Sequence, residues 1–130
     1  MTTLGPSSFV DTIVATGTTH VSRETFARLK EYVAVLLKWN ARINLIGKTT
    51  EDEVWSRHVE DALQLLPLLP TSAKTLVDLG SGAGLPGMVL AIARPKLHVT
   101  LVEIDQRKAA FLKEVVRGFF LSNVTVENCD

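Results

Sequence analysis

The residues best suited to chemistry lie between Thr75 and Gly87, where an apolar run meets Asp78 and then repeated glycines. The apolar run is typical of a strand, and residues 88–94 after the glycines are typical of a helix. A strand that passes into a helix through glycines brings backbone N–H groups close to a bound molecule, because glycine has no Cβ to block the approach. The stretch therefore predicts a site for a nucleotide-like cofactor.

The glycines fit two known cofactor patterns. Gly82, Gly84 and Gly87 form the G-x-G-x-x-G fingerprint of dinucleotide sites, and Glu103 follows about 20 residues later, where such sites place a ribose-binding acid. The second pattern alternates one acid with glycines and is typical of S-adenosylmethionine (AdoMet) methyltransferases. Its members here are Asp78, Gly80, Gly82 and Gly84.

Two residues favour AdoMet over a dinucleotide. A pyrophosphate needs free N–H groups at the start of the helix, and Pro86 removes one of these donors. Asp78 also places a negative charge close to where the phosphates would lie. AdoMet has no phosphate and carries a sulfonium and an ammonium group, so an acid beside the turn attracts it. Glu103 suits either cofactor, because a carboxylate at a strand end accepts hydrogen bonds from both ribose hydroxyls.

The elements that position this turn can be predicted in chain order. Residues 1–20 are predicted to be a flexible leader, and residues 21–72 to be an N-terminal helical part. Ser22 is the expected N-cap of an amphipathic helix that ends near Asn40. Residues 50–53 form an expected capping box for a second helix, which Pro67 ends.

Strands and helices alternate from residue 73 onwards. Expected strands at residues 74–79, 97–102 and 123–127 flank two helices, the second of them capped by Asp105. The predicted fold class is therefore α/β, with N-terminal helices followed by a parallel β-α-β-α-β unit in strand order 3-2-1. This is the first half of a Rossmann-like sheet, so residues 73–130 are predicted to be a truncated AdoMet-binding domain whose first strand has an edge open to self-association.

Composition excludes several classes of protein. The chain has 130 residues and a formal net charge of +0, so it carries no basic footprint for nucleic acid as a whole. Its one cysteine excludes an intrachain disulfide, and a cytoplasmic location is predicted, without a membrane span. No His/Cys cluster has metal-ligand spacing and no nucleophile–base pair is evident, so neither a metal nor a catalytic side chain is predicted.

Arg57, His58 and Asp61 lie on one predicted helix at spacings that allow side-chain pairing. One interpretation is a solvated helix face with an ion pair. The other is that Arg57 and His58 face the cofactor cleft and contact an anionic substrate.

Four segments of the chain resemble the glucose-inhibited division protein B (RsmG) family. They are Leu37-Lys-Trp-Asn40 with Asn44-Leu45, Arg57-His58-x-x-Asp61, the run from Val77 to Gly87, and Leu101-Val-Glu103 followed by Arg107-Lys108-x-x-Phe111-Leu112. The resemblance covers about residue 22 to the end and corresponds to the N-terminal part of the family.

The resemblance implies methylation of N7 of one guanine in 16S ribosomal RNA, with AdoMet as cofactor and the RNA or the small-subunit particle as partner. It places Gly80, Gly82, Gly84 and Leu85 on the methionine side of AdoMet and Glu103 on the ribose. Asp78 and Ser81 complete the expected cofactor set. Two alternatives stay open: a non-catalytic fragment with an open sheet edge, and an NAD-dependent oxidoreductase.

Overall fold

A hairpin of two antiparallel strands opens the structure, a computed structural model that describes residues 13–16 and 19–129. Strand β1 (Ile13–Thr16) pairs with strand β2 (Thr19–Ser22). Part of the predicted leader is therefore strand, because β-branched residues predominate in both segments and favour a pleated backbone. Residues 1–12 and 17–18 of that predicted leader lie outside the described residues.

Helix α1 (Arg23–Asn40) follows directly, and Ser22 caps it as predicted, because the Ser22 hydroxyl accepts a hydrogen bond from the Thr25 amide at 3.0 Å. Residues three or four positions apart on α1 lie on one face. The fully buried face consists of Leu29, Tyr32, Leu36 and Asn40. Tyr32 and Asn40 thus occupy core positions that hydrophobicity alone does not identify.

Asn40 holds the loop that leaves α1. Its side chain is 1% exposed, and its Oδ1 accepts hydrogen bonds from the Leu45 amide at 2.7 Å and the Ile46 amide at 2.9 Å. Its Nδ2 donates to Glu51 Oε2 at 2.5 Å. One buried amide therefore satisfies the backbone of the loop and ties that loop to the next helical segment.

The second helical segment is irregular. It passes from a 3₁₀ helix (Lys48–Glu53) through a π-helical turn (Trp55–Val59) into the short helix α2 (Glu60–Leu63), and a 3₁₀ turn (Leu66–Leu68) follows. The predicted capping box is wrong, because the helix begins at Lys48 and Thr50 already lies inside it. The Thr50 hydroxyl donates to the Gly47 carbonyl at 2.8 Å instead of accepting from the Glu53 amide.

A parallel sheet forms the rest of the described chain. Its elements are strand β3 (Thr75–Leu79), helix α3 (Gly87–Ala93), strand β4 (His98–Val102), helix α4 (Gln106–Gly118) and strand β5 (Val124–Glu127). The strand order β3-β4-β5 is the predicted 3-2-1 order read from the other edge. Within the described residues β3 pairs with β4 alone, and its side chains Val77 and Leu79 are 61% and 77% exposed.

The helices pack around one hydrophobic core that they share with the sheet. Asp105 caps α4 as predicted, since its Oδ1 accepts from the amides of Arg107 and Lys108 at 2.9 and 3.0 Å. Phe111 and Leu112 of α4 are fully buried, and the Phe111 ring meets the ring of Trp39 edge-on at 5.6 Å. Among the described residues, no helix has both the length and the apolar character needed to cross a membrane.

We expect Asn40→Ala to lower the free energy of unfolding by roughly 2 kcal/mol or more, because it leaves the buried Ile46 amide and the part-buried Leu45 amide without their acceptor. Urea unfolding followed by circular dichroism measures this change. Asn44→Ala, an exposed amide in the same loop, is the matched control and should change little. Equal stability of the two variants would contradict the role given to Asn40.

Candidate cofactor-binding site

The glycine turn spans residues 80–86 and is anchored on the carboxyl ends of two strands. The amides of Gly80 and Ser81 both donate to the Val102 carbonyl, at 2.9 and 3.1 Å. The Ser81 hydroxyl donates to the Asp78 carbonyl at 2.9 Å, and the Gly84 amide donates to the Ser81 carbonyl at 2.7 Å. Hydrogen bonds within the chain therefore fix the shape of the turn.

Gly82 and Gly84 both need glycine, for different reasons. Both have positive φ, 55° at Gly82 and 89° at Gly84, where other residues are strained. A Cβ at Gly82 would meet nothing within 4 Å, so this side of the turn faces open space. A Cβ at Gly84 would lie 2.8 Å from the Met88 Cβ, so this position is closed by packing. The open side is the one that a ligand can approach.

Glu103 lies just after β4 and contacts the glycine turn through its carboxylate. It is 5% exposed, its Oε1 accepts from the Gly82 amide at 2.6 Å, and its Oε2 accepts from the Asp105 amide at 2.9 Å. One carboxylate thus joins the turn to the start of α4. Each of its oxygens has a second lone pair, which leaves acceptor capacity for ligand hydroxyls.

Asp78 lies half-buried at the end of β3, where its Oδ2 accepts from the Gly87 amide at 3.0 Å. Burial raises the pKa of the Asp78 carboxyl above its usual value, and the negative charge of Glu103 raises it further. The Gly87 amide opposes this rise in pKa but is the smaller influence. With Glu103 close enough to influence Asp78, the two acids make a site that attracts a cation.

Tyr32 reaches the turn from α1. It is fully buried, and its hydroxyl donates to the Ala83 carbonyl at 2.5 Å. Burial raises the pKa of the Tyr32 phenol far above its usual value, and the charge of Asp78 adds to the effect, so Tyr32 stays a hydrogen-bond donor. Tyr32 is not among the site residues predicted from the sequence. Its spacing from Leu29 and Leu36 was the signal that it lies on the buried face of α1.

The structure brings the candidate cofactor residues together around one turn. These are Asp78, Gly80, Ser81, Gly82, Gly84, half-buried Leu85, and Glu103, which contacts the turn through Gly82. The peptide bond between Leu85 and Pro86 is cis.

The candidate substrate residues have their polar partners on their own helical segment. Arg57 is exposed and pairs with Glu53, with 3.6 Å between Nη1 and Oε1, and not with Asp61. The His58 ring nitrogen Nε2 lies 3.3 Å from the Thr50 hydroxyl. Within the described residues, no hydrogen bond or ion pair joins Arg57 or His58 to the glycine turn.

Comparison with known proteins identifies the family. A model for GidB, described as rRNA small subunit methyltransferase G, matches residues 25–129. The chain belongs to this family. It is 61% identical over 98 residues to "Ribosomal RNA small subunit methyltransferase G" of Rhodospirillum rubrum, an alignment that covers 75% of this chain and 48% of that protein.

A second relative agrees with this assignment, and one solved structure shares the fold. The protein of the same description from Acidiphilium cryptum is 53% identical over 108 residues, covering 82% of this chain and 49% of its own length. The chain thus spans about half the length of these relatives. The crystal structure of the [4+2]-cyclase SpnF matches with a TM-score of 0.51 and 19% identity, over 85% of this chain and 44% of that one. At this identity the match supports the fold alone.

We expect the stability of the chain to depend on pH through Asp78. Because folding raises the pKa of this carboxyl, the folded state binds the proton more tightly than the unfolded chain. The free energy of unfolding should therefore fall as pH rises from the usual Asp range through the raised pKa. Asp78→Asn should remove this fall.

Urea unfolding at a series of pH values measures the effect. Asp61→Asn, an exposed acid on α2, is the control and should keep the wild-type profile. A wild-type profile for Asp78→Asn would contradict the prediction.

Proposed function

We propose that the chain is the AdoMet-binding part of an enzyme that methylates N7 of a guanine in 16S ribosomal RNA. The observation that carries the proposal is a preformed glycine turn, flanked by the carboxyl groups of Asp78 and Glu103, in a chain of the GidB family. Residues 73–130 supply the cofactor-binding unit, and residues 21–72 hold it in shape through contacts such as Tyr32 to Ala83.

The hydrogen bonds of the turn favour AdoMet over NAD. Most of its amides already donate to protein acceptors, namely those of Gly80, Ser81, Gly82 and Gly84, and so does the Gly87 amide at the start of α3. A pyrophosphate would need such N–H groups to be free. The carboxylates of Asp78 and Glu103 would also repel it, whereas they attract the ammonium and sulfonium groups of AdoMet. Both features therefore oppose the oxidoreductase alternative.

The proposed roles of the site residues follow from this arrangement. Gly80 and Gly82 leave room beside the backbone for the methionine part, and Leu85 supplies apolar contact. Glu103 uses its remaining lone pairs to accept from the ribose hydroxyls. Asp78 balances the positive charge of the cofactor. Ser81 holds the turn through its bond to the Asp78 carbonyl.

The chemistry of the proposed reaction requires no general base from the protein. Guanine N7 carries an in-plane lone pair and no proton, so a new N–C bond forms as the S–C bond of the cofactor breaks. The cofactor supplies the electrophilic methyl group when bound. The residues of the chain hold the reactants in line and exclude water.

The names of the relatives support RNA of the small ribosomal subunit as substrate. We propose a cytoplasmic location, because a chain with one cysteine forms no intrachain disulfide and suits a reducing compartment. Among the described strands, β3 has a partner on one edge alone, and its other edge supports a second candidate, a non-catalytic fragment that associates there.

Calorimetric titration with S-adenosylhomocysteine tests the cofactor assignment. We expect binding by the wild-type chain, and an affinity about tenfold lower or worse in Glu103→Gln, since the ribose then loses a charged acceptor. Glu127→Gln, an exposed acid at the end of β5, is the matched control and should bind as the wild type does. Binding of NAD instead would support the oxidoreductase, and binding of neither would support the non-catalytic fragment.

We propose that Arg57 and His58 contact the RNA and not the cofactor. Arg57→Ala should weaken binding of small-subunit ribosomal RNA and lower the slope of log affinity against log salt by about 0.7, the loss of one phosphate contact on a single strand. Its affinity for S-adenosylhomocysteine should not change. Unchanged RNA affinity and salt dependence would remove Arg57 from the substrate site.

A further inference from the structure

A separate cavity lies between the end of α1 and the outer face of α4. Its volume is about 350 Å³, and it is lined by Lys38, Trp39, Arg42, Ile43 and Glu114. Ile43 is buried, and half-buried Trp39 is held edge-on against the ring of Phe111. The cavity therefore has an apolar floor and an aromatic wall whose orientation is fixed by packing.

The rim of this cavity is positively charged. Lys38 and Arg42 are exposed, and neither has an ion-pair partner in the part of the chain that the structure describes. Glu114, the acid in the lining, forms an ion pair with Arg117, whose hydrogen bond lowers the pKa of the Glu114 carboxyl. With the charge of Glu114 offset by Arg117, the cations of α1 dominate the local field.

The cavity lies along helix α4, which begins next to Glu103 of the candidate cofactor site. Helix α4 starts after Asp105, whose amide donates to Glu103, and Phe111 lies about 9 Å further along its axis. Exposed Arg107 lies about two helical turns before Glu114, so it is on the side of α4 that lines the cavity. A polyanion that follows α4 from the cavity towards the first turn of this helix would therefore meet Arg107.

An aromatic wall, a nucleotide-sized space and a cationic rim match the chemistry of an unpaired nucleotide. Bases stack on aromatic side chains, and phosphates bind Lys and Arg. A base within a duplex is stacked and paired, so it cannot enter a cavity of this kind without being extruded. The geometry thus selects single-stranded RNA.

We infer that this cavity binds one unpaired nucleotide of a single-stranded RNA segment, with the base against Trp39 and the phosphates on Lys38 and Arg42. The inference rests on the proposed function, because it gives the RNA substrate a docking surface on the helix that follows Glu103. It adds a surface distinct from Arg57 and His58, which lie on another helix.

Fluorescence of Trp39 reports directly on occupancy. The variant Trp55→Phe leaves Trp39 as the one tryptophan of the chain. Titration of this variant with a single-stranded RNA oligonucleotide of mixed sequence should quench its emission, because a base stacks on the indole. The same strand annealed into a blunt duplex should bind at least tenfold more weakly and quench little. Absence of quenching by the single strand, or equal binding of the duplex, would overturn the inference.

The roles of Lys38 and Arg42 are tested by the salt dependence of RNA binding. Lys38→Ala and Arg42→Ala should each lower the slope of log affinity against log salt by about 0.7, and the double variant by about twice that. Lys96→Ala is the control with the same loss of charge, since Lys96 is exposed in the loop before β4 and does not line the cavity. Slopes equal to that of the control would overturn the inference.

Titration of the same variants with S-adenosylhomocysteine separates the two proposals. Lys38→Ala and Arg42→Ala should bind it as the wild type does, because neither residue touches the turn. If wild-type chain binds the cofactor product but the RNA results fail, the docking surface alone is wrong. If the chain binds RNA as described but not the cofactor product, the cofactor assignment fails and the RNA surface remains.

Discussion

The hydrogen bond from the Tyr32 hydroxyl to the Ala83 carbonyl joins the N-terminal helix to the glycine turn. It is made in the core, where water cannot replace it, so losing it would leave a buried carbonyl unpaired. Around it Gly84 fits so closely that a Cβ would lie 3.1 Å from Leu112 and 3.3 Å from the Tyr32 hydroxyl. Helices α1 and α4 therefore hold the turn from behind, and only its other side is open to a ligand.

The two acids of the site are also hydrogen-bonded to the glycine turn and the residue that follows it. Asp78 and Glu103 accept hydrogen bonds from amides of the loop that they flank, Gly87 and Gly82 respectively. These bonds fix the turn and also bring two carboxyl groups near each other, which costs stability when both are ionised. A cationic ligand would relieve that cost. The same pair of acids thus favours the proposed cofactor over a dinucleotide.

Much of the fold could be predicted from local patterns, and the failures have a common cause. Ser22 and Asp105 cap their helices as predicted, because a cap depends on residues close in sequence. The capping box at Thr50 failed because the helix begins two residues earlier, at Lys48, near the loop that Asn40 holds. Tyr32 was missed because its partner is Ala83, on a distant part of the chain.

The sequence by itself determined the α/β order, the strand neighbours and the position of the glycine turn, because periodicity, caps and glycine spacing are local properties. The tertiary structure decided how the individual residues are used. It divided the glycines between an open side at Gly82 and a packed side at Gly84, gave Glu103 two amide partners, and placed Tyr32 behind the turn. These outcomes depend on contacts between distant segments, and such contacts exist only once the helices pack on the sheet.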